Sequence, residues 1–299
     1  MKLKFILLSV LFVYSGIVIG QDKSSFSIYV FKKRYNKSGQ TYIGKQSMFR
    51  NIDILGSATI DPKNEGLINL TKIEKDLIKI YPNKNDAGTL CLDIENILFS
   101  NLQKFNPGSD EYSASIIQFS KMIDLVKSLR PNVKVGIYGL PYRVFYKSQN
   151  VWNSNKKLDP ILKKTDLIFP SLYILYPDRQ KGLESNNAYW KQNLDNAFEY
   201  GERLNKPVVP FIWYMVTGNK VYGTQILSEN EVTRYLKFIQ NYTSKNNSRI
   251  NGVVWWESSP KIFLNGMKQN NIMQKSASPP ITNSDILIKY TGAFINYNN

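Results

Sequence analysis

The chain has 299 residues, 42% hydrophobic and 13% aromatic, with a formal net charge of +16, one cysteine and no histidine. That length suits one large domain or two small ones. The composition excludes an intramolecular disulfide, Ser-His-Asp and Cys-His catalysis and any His-ligated zinc site, which leaves carboxylates as the main acid–base groups.

Met1–Gly20 has the pattern of an export leader. Lys2 and Lys4 form a basic start, Phe5–Val13 an apolar core, and Val18-Ile19-Gly20 a cleavage site before Gln21. No later apolar run is long enough to span a bilayer. The expected product is secreted or periplasmic, with no stable membrane insertion. It divides into a single barrel domain over 21–275 and a C-terminal tail over 276–299, where the hydrophobic pattern is weak.

Phe26–Phe31 and then Asn51–Thr59 have strand character. Ile73, Leu77 and Ile80 mark a helix stopped by Pro82. Thr89-Leu-Cys-Leu-Asp93-Ile-Glu95-Asn96 is a buried strand running into two acids. Alternation places Asp93 and Glu95 on one face, about 6–7 Å apart. A polar loop leads to a helix with the stripe Ile116, Phe119, Ile123, Val126 and Leu129. Strands follow at Val133–Tyr138, Asp166–Tyr173, Val208–Tyr214 and Ile250–Trp256. Helices lie between them at Leu158–Leu162, around Trp190–Leu204, and behind the capping box Ser228–Glu231. About seven strands, most followed by a helix and several continuously apolar, predict an α/β fold, a distorted TIM-like (β/α) barrel. There is no G-x-G-x-x-G and no P-loop.

In such a barrel, function sits at the C-terminal strand ends. These are Asp93 and Glu95, Tyr138, Tyr173, Trp213 and Tyr214, then Trp255, Trp256 and Glu257. Acids surrounded by rings are the inventory of a glycan-cleaving site. Acids at a strand end also serve as a solvated edge, and rings also cap a core. No cofactor or metal is expected. Without Lys2 and Lys4 the charge is +14, with no block of five basic residues. A polyanion such as an acidic polysaccharide is the expected partner, rather than nucleic acid. General solubility is the other reading of that charge.

From about Leu90 to Glu257 the chain resembles the hyaluronidases, glycoside hydrolase family 56. The resemblance is carried by Leu92-Asp-Ile-Glu95, Leu129–Pro141, Phe169-Pro-Ser-Leu-Tyr173, Pro207-Val-Val-Pro210 and Gly252-Val-Val-Trp-Trp256, in order. It implies hydrolysis of hexosaminidic bonds in hyaluronan or chondroitin. Glu95 would be the proton donor and Asp93 its neighbour, orienting the acetamido group. Tyr138, Tyr173 and Trp256 would line the pocket, with the charge of Asp93 and the rings holding the proton on Glu95. The family's Pro-Asp-Cys is Pro141-Tyr142-Arg143 here, so an acid is lost. A non-catalytic glycan binder and a chitin or peptidoglycan N-acetylhexosaminidase are the alternatives.

Overall fold

Parallel pairing organises the chain. The computed structural model describes residues 26–217, 223–258, 262–263 and 281–298. Its strands are β1 (Ser27–Val30), β2 (Phe49–Asn51), β3 (Asp53–Gly56), β4 (Gly88–Asp93), β5 (Val133–Ile137), β6 (Phe211–Ile212) and β7 (Gly252–Trp255). The principal helices are α1 (Lys37–Lys45), α2 (Leu70–Ile80), α3 (Ile97–Lys104), α4 (Asp110–Leu129), α5 (Leu183–Leu204), α6 (Glu229–Asn241) and α7 (Asn283–Asn298).

The ladders form two arcs, β2-β1-β7-β6 and β3-β4-β5. β2 runs into β3 with Ile52 alone between them, and the Ile52 N–H donates to the Val30 carbonyl at 3.1 Å. On the other side, the single bridges Tyr138↔Phe169, Ile168↔Val208 and Ser171↔Phe211 lead from β5 to β6. The fold is α/β, a distorted TIM-like barrel. The stretch expected as a full strand over Asp166–Tyr173 survives only as these bridges. Pro170 and Pro210 have no N–H to give to a ladder, and their carbonyls accept instead, from Phe211 and Val254.

Leu90, Cys91, Leu92, Val135, Ile137, Val253 and Val254 are buried. Such continuous runs reflect strands covered on both faces. The capping box of α6 forms as expected, with Ser228 N–H donating to Glu231 at 2.9 Å and Glu231 N–H donating to Ser228 at 3.2 Å.

The reading of 276–299 as a tail needs correction. Residues 283–298 form α7, which packs on α1 and α6 and buries Ile286, Leu287, Tyr290 and Phe294. Its pattern is weak because polar residues share the packed face. Thr291 is fully buried and donates back to the Leu287 carbonyl at 2.6 Å. The leader expected at Met1–Gly20 lies outside the described residues. Among those described, no helix is long and apolar enough to cross a membrane.

Candidate active site

β4 fixes the position of the two acids. Its apolar residues pair with β3 on one side and β5 on the other, and the strand ends at Asp93, opposite Gly56. Asn96 then starts α3. Its Oδ1 accepts from Leu98 N–H at 3.0 Å, and its Nδ2 donates to Asp61 at 2.6 Å. Asp61 also accepts from the N–H groups of Glu65 and Gly66, at 3.1 and 2.8 Å. Glu95 thus sits on a corner held from both sides. Asn96→Ala removes a helix cap and leaves a buried carboxylate short of a donor. It should cost about 1–3 kcal/mol in urea unfolding. An unchanged midpoint would show that the corner is held elsewhere.

The two carboxylates differ in setting. Asp93 is half-buried, while Glu95 is exposed at the mouth of a cleft. Burial first, and the Glu95 charge second, push Asp93 up to about 7. Crowding by protein also raises Glu95, but the nearby Arg143 cation opposes it. The net direction at Glu95 is upward, and its cause is desolvation rather than the Asp93 charge. The Glu95 charge thus acts on Asp93, the deeper of the two carboxylates.

The cleft has a volume of about 290 Å³ and is lined by Glu95, Phe99, Tyr138, Tyr142, Arg143, Phe145, Trp152 and Ser171, among others. Tyr138 is placed by Gly139, whose φ of +77° is one that glycine adopts without strain. The Gly139 N–H donates to the Phe169 carbonyl at 2.8 Å. A side chain at Gly139 would come within 3.0 Å of the Phe99 ring. The Tyr138 hydroxyl donates to Ser171 at 3.3 Å.

Behind Tyr138 the rings form a chain. Tyr138 and Tyr173 centroids lie 5.9 Å apart, and Tyr173 and Trp213 lie 5.7 Å apart. Phe211 contacts Tyr138 at 4.9 Å and Trp256 at 6.3 Å. Asp93, Glu95, Tyr138, Tyr173 and Trp213 are therefore brought together, and Trp256 joins them through Phe211. Tyr214 does not join. It lies beyond the end of β6 and packs away from the cleft. There it stacks on Trp255 at 5.7 Å and donates to Glu257 at 2.8 Å. Glu257, the other strand-end acid, is buried in that outer layer and pushed up to about 8 by desolvation. It does not line the cleft.

The fold is similar to that of bee venom hyaluronidase. Against one crystal structure of that enzyme the TM-score is 0.57 with 18% identity, covering 83% of this chain and 97% of the other. Against the same enzyme in complex with a hyaluronic acid tetramer the TM-score is 0.54 with 18% identity, covering 82% and 96%. These likenesses show a glycosidase-like fold. The sequence matches no protein-family model and no curated protein.

Several cleft residues escape sequence reasoning. Arg143, Phe145 and Trp152 lie on the connection between β5 and α5, where no periodicity marks them. The one signal is the change at Tyr142-Arg143 from the hyaluronidase pattern.

Proposed function

We propose that the protein is an exported glycoside hydrolase that cuts N-acetylhexosaminidic bonds of a glycosaminoglycan, hyaluronan or chondroitin, with retention. The observation that carries this reading is a pair of carboxylates at the end of β4, both raised by desolvation, with Glu95 opening on a cleft walled by aromatic rings. Tyr138, Tyr173 and Trp256 hold the acetamido group of the sugar, and its oxygen serves as the internal nucleophile. As that oxygen closes on the anomeric carbon, positive charge develops on the acetamido nitrogen. That charge stabilises Asp93 as an anion, while desolvation keeps a proton on Glu95. Glu95 gives the proton to the leaving oxygen, then takes one from the water that opens the cyclic intermediate.

Digestion of hyaluronan, chondroitin, chondroitin sulfate and chitin side by side tests the reading. New reducing ends carrying N-acetylhexosamine are expected from the glycosaminoglycans. A protein that releases no ends from any of the four is not this hydrolase.

A further inference from the structure

Arg143 enters the same cleft as Glu95 and is the cation among its lining residues. Its backbone is clamped on both sides. Tyr142 exchanges two hydrogen bonds with the Asn153 side chain, at 2.8 and 2.7 Å. Val144 exchanges two with the Asn193 side chain, at 2.7 and 2.8 Å. Each asparagine imitates a strand partner, so the loop presents its side chain from a fixed frame. Arg143 Nη1 donates to the Tyr173 carbonyl at 3.2 Å, and the guanidinium lies 6.0 Å from the Tyr173 ring centroid.

What it lacks is an acid. None of the ion pairs among the described residues includes Arg143. Glu95 is felt electrostatically but lies beyond ion-pair range. A half-buried guanidinium loses hydration, and a paired oxyanion restores what is lost. It carries more N–H donors than these contacts use, in a planar fork that matches a carboxylate.

We propose that Arg143 binds the carboxylate of a uronic acid seated beside the linkage at Glu95, and so selects acidic over neutral glycans. This rests on the cleft being a glycan site, and it does not require that hydrolysis occur. The residue before it, Tyr142, stands where the resemblance leads one to expect an acid, so Arg143 has no acidic neighbour there.

Calorimetry with a hyaluronan hexasaccharide and its carboxyl-reduced form tests this, on the full chain carrying Glu95→Gln to stop turnover. Salt at about 0.5 M screens the general surface charge. The acidic sugar should bind about tenfold tighter or more, the range of a charge-assisted hydrogen bond. Adding Arg143→Gln should bring the two affinities within about threefold of each other by weakening only the acidic sugar. Undiminished preference in that variant, equal binding before it, or equal loss of both sugars would each overturn the proposal. Should Arg143→Gln fail to fold, Arg143→Lys decides. It keeps the charge without the fork, so preference should fall several-fold, and an unchanged preference overturns the proposal. Acid-selective binding without any cleavage would defeat the hydrolase reading and leave Arg143 its role. Equal cleavage of acidic and carboxyl-reduced polymer would do the reverse.

Discussion

Glu95→Gln should lower the rate of glycan cleavage by about 10²–10⁴-fold or more, the range of general acid–base catalysis. Glutamine keeps the size and most of the hydrogen bonding but cannot carry the proton. Polymer binding should survive, since the rings and Arg143 remain. The wild-type rate should peak at mildly acidic pH and decline as Glu95, raised by desolvation, loses its proton. Whatever rate remains in the variant should lack most of that decline. A variant with near wild-type activity would place the chemistry elsewhere. Glu257 would not then be its natural home, since it is buried behind β7 and bound to Tyr214.

Asp93→Asn should act in two directions. Activity should collapse, because the cation developing on the acetamido nitrogen loses its anionic partner. Stability at pH 8 should rise. An unfolded aspartate titrates near about 3.9, while the folded one titrates at about 7. Between those values the folded chain holds a proton that the unfolded chain has released. The unfolding free energy therefore falls as pH climbs from about 4 to about 7, and that loss persists above it. Asparagine removes the penalty, and the gain should be on the order of 2–4 kcal/mol at pH 8 and near zero at pH 4. Urea midpoints at the two pH values measure it. A gap of the same size at both would mean that ionisation of Asp93 is not the cause. A residue kept at such a cost to stability is one that function holds in place.

β4 and its acids were legible because an apolar run must be buried and alternation then dictates which carboxylates share a face. α6 was legible because Ser228 and Glu231 sit at the spacing of a capping box. α7 was not, since buried Ser284 and Thr291 interrupt its apolar stripe. Trp213 and Tyr214 show how far a strand-end reading reaches. Both lie just past the end of β6, and only tertiary packing shows that Trp213 joins the rings behind the cleft while Tyr214 stacks on Trp255. Arg143 was visible as a departure from the hyaluronidase pattern, but its place beside Glu95 depends on Asn153 and Asn193, remote in sequence and unmarked by any period.

The seam between β1 and β7 has a consequence for how the chain comes into being. Ser27 pairs with Gly252 and Val30 with Trp255. Beside that seam, Asn36 N–H donates to Ser284 at 3.2 Å and Asn283 donates to the Arg34 carbonyl at 3.0 Å. This seam therefore joins the first and last strands among the described residues, the pairing with the greatest loop-closure cost. At a synthesis rate of about 5–20 residues per second, β1 waits roughly 10–45 s before its second partner exists. Until then Ile28 and Val30 border an open strand edge, the kind of surface that invites aggregation. Completion of that seam waits on the arrival of residues 252–255.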